Sequence, residues 1–383
     1  MSVTAARGFR AAGIAAGIKQ NGSPDLALVV NDGPGDAAAG VFTANRVQAA
    51  PVQWSRRILA DGTARAVVLN SGGANACTGP RGLADTRATA EKAAGRLGLD
   101  TGQVAVCSTG LIGVLLPMDR LLPGVDAAAG RLSQDGGEDA ARAVMTTDTV
   151  HKTAAVSQDG WTVGGMAKGA GMLAPGLATM LAVLTTDADV GARALEGALR
   201  AATRVTFDRV DSDGCMSTND TVLLLASGAS GVTPAYAEFA EAVRAVCADL
   251  ARQLVSDAEG ASKEIRVEVV GAASEDDAVE VGRSVARNNL LKCAVHGEDP
   301  NWGRVLSAVG TTSAAFTPDR LSVAVNDVWV CKDGSVGEDR ALVDMTGREV
   351  RITVDLAEGA DHAVVWTNDL TADYVHENSE YSS

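Results

Sequence analysis

The sequence has few aromatic residues, no basic cluster and no long apolar run. Acidic residues outnumber basic ones by 48 to 33, which gives a formal net charge of −15. A surface of this charge repels polyanions, so we expect neither nucleic acid nor an anionic membrane as a partner. No apolar run approaches the length of a membrane-spanning helix, and Arg and Gly interrupt residues 1–20 too often for a signal peptide. We therefore expect a cytoplasmic protein.

Cysteine and histidine patterns that hold metals are also lacking. The six cysteines include no C-x-x-C pair, and the four histidines form no H-E-x-x-H or other ligand spacing. Scattered cysteines are typical of reduced, mostly buried thiols, and isolated histidines do not predict a zinc site. We therefore expect no structural metal.

Strand-like and helix-like segments alternate along the chain, without the regular rhythm of a βα barrel. Residues 235–258 give the clearest helical pattern, with apolar residues at intervals of three and four. Other helices are predicted over residues 82–98, 120–145, 194–203 and 276–291. The alternation predicts a mixed α/β protein built in layers. A length of 383 residues allows one large unit or two domains.

The most informative stretch is KGAGMLAPGLATML, residues 168–181. Three glycines and a proline precede Ala178, so this segment can adopt backbone conformations that bulky residues forbid. The run from Thr179 to Thr185 has the length and composition of a buried strand. A threonine is therefore expected at the point where a loop becomes a strand.

This position suits a threonine nucleophile. Cleavage of the Ala178–Thr179 bond would give Thr179 a free α-amine, whose ordinary pKa of about 7.7–8.0 lets it act as a base for its own hydroxyl. The hydroxyl could make the cut itself, by attacking the Ala178 carbonyl in an N-to-O acyl shift. From composition alone, a glycine-rich loop that enters a core strand is the better explanation of the stretch.

The motifs of the chain resemble those of the ornithine acetyltransferase family, the bifunctional glutamate N-acetyltransferases of arginine biosynthesis. The blocks that carry the resemblance occur in the order of that family and span nearly the whole chain; they are CSTGLIG at 107–113, MTTDT at 145–149, KGAGMLAP at 168–175 with ATML at 178–181, STNDT at 217–221, DPNWGR at 299–304 and ENSEYSS at 377–383. The resemblance implies a sandwich of helix layers around two mixed sheets, as in self-processing enzymes with an N-terminal nucleophile.

The resemblance also implies a set of site residues. It makes Thr179 the nucleophile, released by autocleavage after Ala178, and it makes Thr109 and Gly110 the oxyanion hole. Its substrate-binding residues are Thr146, Lys168, Thr179, Glu259, Asn378 and Ser383. Taken without the resemblance, STG is a common turn, Lys168 a solvated loop lysine and Glu259 a surface acid, and the threonines of MTTDT a helix cap or strand edge.

The activity implied is acetyl transfer from N-acetylornithine to glutamate through an acetyl-threonine intermediate, with no metal or prosthetic group. Acetyl-CoA is a second conceivable acetyl donor, on which the motifs are silent. The resemblance further implies fragments 1–178 and 179–383 that form one intertwined catalytic unit, with two copies of each fragment in the assembly. Two alternatives stay open at this point: an amidohydrolase or aminopeptidase of the same architecture, and a non-catalytic binding protein.

Overall fold

A computed structural model describes residues 2–174 and 180–380, which form two compact units. Among the described residues, the first unit comprises residues 2–174, 180–208 and 215–257, and the second comprises residues 209–214 and 258–380. The predicted fragments 1–178 and 179–383 are products of chain cleavage and differ from these two units. They stay a prediction.

The strands of the described residues are β1 (Phe9–Ile14), β2 (Leu26–Asn31), β3 (Ala38–Phe42), β4 (Ala66–Ser71), β5 (Val104–Thr109), β6 (Lys152–Gln158), β7 (Trp161–Lys168), β8 (Leu181–Thr186), β9 (Thr221–Ala226), β10 (Glu264–Ala272), β11 (Ser322–Val325), β12 (Val328–Lys332), β13 (Ser335–Val336), β14 (Glu349–Asp355) and β15 (Asp361–Asn368). The helices are α1 (Ala50–Ile58), α2 (Gly79–Leu97), α3 (Met118–Ala129), α4 (Gly137–Ala143), α5 (Ala192–Val205), α6 (Tyr236–Ser256), α7 (Glu275–Ala286), α8 (Asn289–His296), α9 (Trp302–Val309) and α10 (Ala372–Glu380).

Two mixed sheets form the centre of the first unit. One has the strand order β1-β2-β4-β5 and the other the order β3-β9-β8-β7-β6. Strands β2, β4, β5, β8 and β9 are buried along their whole length, as their continuous apolar sequences require. The two sheets share one apolar core. Helices α1, α2 and α3 pack against the first sheet, and α5 and α6 against the second.

The register of the second sheet brings three strand ends together. Lys168, the last residue of β7, pairs with Leu181, the first residue of β8. Leu181 pairs in turn with Thr221, the first residue of parallel β9. The segment between β7 and β8 therefore begins and ends beside the start of β9.

A third mixed sheet lies in the second unit, with the order β13-β12-β11-β14-β10-β15. Strand β10 is the long central strand, parallel to β14 and antiparallel to β15. Helix α7 packs against β10 and β15, and its N-terminus is capped by Ser274, whose side chain accepts a hydrogen bond from the Asp277 amide. The second unit thus has its own core.

The expected mixed α/β class, with helix layers around two sheets in the first unit, is confirmed. Periodicity also located α6, whose apolar stripe at Phe239, Val243, Val246, Leu250 and Leu254 is buried. The helix predicted over residues 120–145 is instead two helices, α3 and α4. The helix predicted over 276–291 is also divided, because Asn288 caps the start of a new helix.

Two further features bear on the sequence predictions. No helix in residues 2–174 or 180–380 is both long and apolar enough to cross a membrane. The thiols are less buried than expected, because Cys107, Cys247 and Cys331 are buried while the other three cysteines are exposed.

Candidate active site

Thr109 and Gly110 lie at the carboxyl end of β5, in a tight turn against a second glycine turn. The Thr109 carbonyl oxygen accepts hydrogen bonds from the amides of Gly72 and Gly73, at 3.0 and 2.9 Å. Gly110 has φ +129°, and a Cβ at this position would lie 2.5 Å from the Gly73 nitrogen. Only glycine fits this backbone, so the turn that the sequence marked as STG is sterically fixed.

Lys168 contacts Thr109 directly. Its Nζ donates a hydrogen bond to Thr109 Oγ1 at 3.3 Å, and the residue is 2% exposed. Lys168 is the last residue of β7, so its interpretation as a solvated loop lysine is wrong. The strand escaped sequence analysis because Gly164 and Gly165 interrupt it, and glycine is unfavourable in strands.

The block MTTDT supplies a negative charge, that of Asp148, beside Lys168 and Lys152. The Asp148 carboxylate accepts hydrogen bonds from the Thr146 amide at 2.9 Å, from the Gly169 amide at 2.6 Å and from Lys152 Nζ at 2.7 Å. Burial alone would raise the pKa of Asp148, but the positive charges of Lys168 and Lys152 outweigh it and lower that pKa to about 2. Asp148 is therefore ionised throughout the physiological range.

Lys152 extends this ion pair to the end of α6. Its Nζ also lies 2.6 Å from Asp257 Oδ2, and the Lys152 side chain is fully buried. Asp257 additionally binds the amide and hydroxyl of Thr149. Spacing could not reveal this cluster, because its members lie up to about a hundred residues apart in the chain.

Lys19 is a further cation that the sequence analysis did not single out. Its Nζ donates to the carbonyl oxygens of Met145 and Pro24, at 2.7 and 3.0 Å, so it anchors the residue before Thr146. Burial lowers the pKa of Lys19, and the charge of Lys168 adds to that effect, although Asp25 opposes it. Lys19 lies in no recognisable motif, so only its contacts in the folded structure indicate that it belongs near the site.

The start of β8 is held by Asp220. Its Oδ1 accepts a hydrogen bond from the Met180 amide at 3.1 Å, and the Met180 carbonyl accepts one from the Thr221 amide at 3.1 Å. The predicted nucleophile Thr179 and the predicted cleavage position after Ala178 lie outside the described residues. Met180, the next residue in the chain, is nevertheless fixed on both sides of its backbone.

Two predicted binding residues meet in the second unit. The Asn378 side chain on α10 donates to Glu259 Oε2 at 3.0 Å. Helix α10 is held close by Gly260, which has φ +62° and whose added Cβ would lie 2.2 Å from the Tyr374 nitrogen. Glu259 is half-buried. Ser383, the remaining predicted residue of this group, lies outside the described residues.

The structure therefore gathers the predicted residues in two groups. Thr109, Gly110, Lys168 and Thr146 belong to the first unit, and Glu259 and Asn378 to the second. Within the described ranges, no three His, Cys, Asp or Glu side chains are grouped so as to hold a metal ion. A buried lysine and a threonine hydroxyl beside a glycine turn are groups that can stabilise a developing negative charge.

The chain is similar to known proteins over nearly its whole length. The sequence profile of the ArgJ family matches residues 10–383. The arginine biosynthesis bifunctional proteins ArgJ of Streptomyces coelicolor and Streptomyces avermitilis are each 76% identical over 383 residues, which cover the whole of both chains. The solved ornithine acetyltransferase of Mycobacterium tuberculosis, complexed with ornithine, is 58% identical, covers 47% of this chain and 96% of its own, and has a TM-score of 0.45.

The protein is therefore a mixed α/β enzyme of acetyl transfer in arginine biosynthesis. The chain belongs to the ArgJ family, as its motifs predicted. A non-catalytic binding protein, one of the two alternatives, is thereby excluded.

Proposed function

We propose that the protein transfers the acetyl group of N-acetylornithine to glutamate, through an acetyl ester of Thr179. The observation that carries this proposal is the hydrogen bond between Lys168 Nζ and Thr109 Oγ1, beside the glycine turn at Gly110. These groups offer a positive charge, a hydroxyl and a backbone amide at one place, which an acyl-transfer reaction requires.

The direction of that hydrogen bond has a chemical consequence. Lysine can only donate, so Thr109 Oγ1 is the acceptor and its own hydrogen is available for another partner. We assign that hydrogen, together with the Gly110 amide, to the oxyanion of the tetrahedral intermediate. The Lys168 charge polarises the hydroxyl and strengthens its donation.

The first half-reaction breaks the amide of N-acetylornithine. Thr179 Oγ attacks the acetyl carbonyl carbon while the Thr179 α-amine takes the hydroxyl proton. When the intermediate collapses, the C–N bond breaks and that proton passes to the departing nitrogen. Ornithine leaves with its amine restored, and the acetyl group remains on Thr179 as an ester.

The second half-reaction regenerates the threonine. The α-amine of glutamate attacks the ester carbonyl, the C–O bond to Thr179 breaks, and the proton lost by the amine returns to Thr179 Oγ. N-acetylglutamate leaves. Lys168 meets a substrate carboxylate and Glu259 an ammonium, while Thr146, Asn378 and Ser383 complete the substrate-binding set. The scheme uses no metal or prosthetic group.

The free amine of Thr179 requires prior cleavage after Ala178. We propose that the chain cuts itself there, giving fragments 1–178 and 179–383, and that two copies of each associate. Acetyl-CoA is proposed as a second acetyl donor to Thr179, which fits the bifunctional name of the relatives.

The test follows the acetyl group. Purified protein is incubated with N-[acetyl-¹⁴C]acetylornithine, with and without glutamate, and the labelled products are separated. Label in N-acetylglutamate, with ornithine released in equal amount, supports the proposal. Label found only in free acetate would establish the alternative, an amidohydrolase in which water resolves the acyl-enzyme. A parallel reaction with labelled acetyl-CoA and glutamate decides the second activity.

A further inference from the structure

Two adjacent buried residues, Asn219 and Asp220, connect the strands that carry the proposed nucleophile and the proposed oxyanion turn. Both belong to the STNDT block, immediately before β9. Asn219 is 5% exposed and Asp220 is fully buried. Their side chains bind two different parts of the first unit, which no sequence motif could have indicated.

Asn219 holds the strand of the oxyanion turn. Its Nδ2 donates to the carbonyl oxygens of Ser108 and Ala74, both at 2.7 Å. Ser108 immediately precedes Thr109, and Ala74 follows the Gly72–Gly73 turn that binds the Thr109 carbonyl. Both donors of this amide are therefore used to fix the two turns against each other.

Asp220 holds the other side. Its Oδ1 accepts the Met180 amide at 3.1 Å, and Met180 directly follows Thr179. Asp220 Oδ2 makes no hydrogen bond in the described part of the chain. The Thr43 and Ser217 hydroxyls also lie near this carboxyl.

Burial determines the ionisation of this carboxyl. It raises the pKa of Asp220 well above the usual range, although the Met180 amide, the Ser217 and Thr43 hydroxyls and the charge of Lys168 oppose this rise. A neutral carboxylic acid can accept the Met180 amide without the cost of a buried charge. An amide side chain of the same shape could do the same.

We propose that Asn219 and Asp220 act as a clamp that holds Met180, the residue after the proposed nucleophile, at a fixed spacing from the proposed oxyanion turn. The inference rests on the function proposed above. The two residues touch no reacting atom in this scheme, so they are positioning residues. Because they are neighbours in one short segment, they hold the start of β8 and the end of β5 at a fixed spacing. A misplacement of about 1 Å between reacting groups can cost about 100-fold in rate.

The experiment compares four variants with a matched control. Asn31 is another asparagine, 2% exposed, whose Nδ2 donates to two backbone carbonyls, those of Gly35 and Ala226. Asn31→Ala therefore removes the same kind of bond at the opposite end of β9. The variants are Asn219→Ala, Asn219→Asp, Asp220→Ala and Asp220→Asn, assayed for acetyl transfer, for cleavage after Ala178 and for Tm.

The clamp makes specific demands on these variants. Asn219→Ala and Asp220→Ala should lower kcat by about 100-fold and slow self-cleavage, with KM changed only a few-fold. Asn219→Asp should lower kcat as much, because a carboxylate oxygen would then face the Ala74 and Ser108 carbonyl oxygens and repel them. Asp220→Asn keeps a neutral acceptor and should retain cleavage and most of kcat. Asn31→Ala should lower Tm as Asn219→Ala does, yet leave kcat near the wild-type value.

Two results would overturn the clamp. One is an Asn219→Ala enzyme whose kcat falls no further than that of Asn31→Ala at the same loss of Tm. The other is a folded Asp220→Asn enzyme with no cleavage and no transfer, because this would make Asp220 a proton-transfer group. Wild-type protein that moves no acetyl group would refute the proposed function, and the clamp with it. If the wild type transfers acetyl groups, either of the two results above refutes the clamp alone.

Discussion

Lys168 Nζ donates a hydrogen bond to Thr109 Oγ1 across two different sheets of the first unit. Lys168 ends β7 in the five-stranded sheet, and Thr109 ends β5 in the four-stranded sheet. Both residues are buried, so water does not compete with Thr109 for the Lys168 ammonium. The turn at Thr109 and Gly110, the proposed oxyanion hole, therefore depends on the packing of both sheets and on the position of Lys168.

Thr109→Val is expected to lower turnover without unfolding the protein. Valine has the shape of threonine but no hydroxyl, and loss of one oxyanion donor typically costs about 100- to 1000-fold in kcat. Because this donor acts mainly in the transition state, kcat and kcat/KM should fall together. Steady-state kinetics with N-acetylornithine and glutamate measure the effect.

Thr109→Ser is the matched control for that variant. Serine keeps the hydroxyl that accepts from Lys168, so most of the activity should remain. A Thr109→Val enzyme that turns over like Thr109→Ser would make Thr109 a turn residue only.

Lys168→Met should weaken substrate binding and also slow turnover. Its ammonium is assigned to a substrate carboxylate, while its hydrogen bond holds the Thr109 hydroxyl. Because Lys168 is buried at a strand end, the change should also reduce stability, unlike the loss of a solvated lysine. KM for both substrates, kcat and Tm are the quantities to measure.

Lys92→Met provides the control for loss of a lysine charge. Lys92 forms a partly exposed ion pair with Asp126, at 2.6 Å, so its replacement should leave kinetics and Tm almost unchanged. Equal kinetics for Lys168→Met and Lys92→Met would remove Lys168 from the active site.

The sequence predicted well what depends on local pattern. The periodicity of residues 235–258 predicted α6, because one face of a helix must be apolar to pack. Motifs named Thr109 and Gly110, and the turn geometry explains why glycine occupies the second position. The sequence placed Lys168 in a loop, because two glycines interrupt the apolar pattern of β7. The buried pair of Lys152 and Asp257 could not be found, because only the fold makes them neighbours.

Stability at acid pH should depend on Asp148. Its folded-state pKa of about 2 lies below the ordinary 3.8, so its ionised form stabilises the native state by about 2 kcal/mol at neutral pH. That contribution is fully present above the unfolded pKa and is lost as the pH falls toward the folded value. Asp148→Asn should therefore be less stable than wild type at neutral pH, with a difference that shrinks as the solution is acidified.

Urea unfolding of the two proteins over a pH series measures this effect. The free energy of unfolding of wild type should fall more steeply below about pH 4 than that of Asp148→Asn. A constant difference between the two across the acid range would show that Asp148 does not have the depressed pKa.

Glu259→Gln is expected to act on substrate binding rather than on folding. Glu259 is half-buried and accepts a hydrogen bond from Asn378 at 3.0 Å, which glutamine can still accept. The substitution removes only the negative charge, so KM for N-acetylornithine should rise about ten-fold or more, whereas Tm should stay near that of wild type. An unchanged KM would mean that Glu259 only helps to hold α10 in place, through its hydrogen bond with Asn378.

The most exposed prediction is that the mature protein consists of two chains, cut between Ala178 and Thr179. Fragments 1–178 and 179–383 should stay together under native conditions, because β8 pairs with β7 from one fragment and β9 from the other, and all six of its residues are buried. Intact-mass measurement and N-terminal sequencing detect the cut. Thr179→Ala lacks the hydroxyl for the acyl shift and should give one uncut, inactive chain, while Thr179→Ser should cleave at least in part. A wild-type protein found whole and fully active would refute the acetyl-threonine mechanism, because Thr179 would then have no free amine to serve as its base.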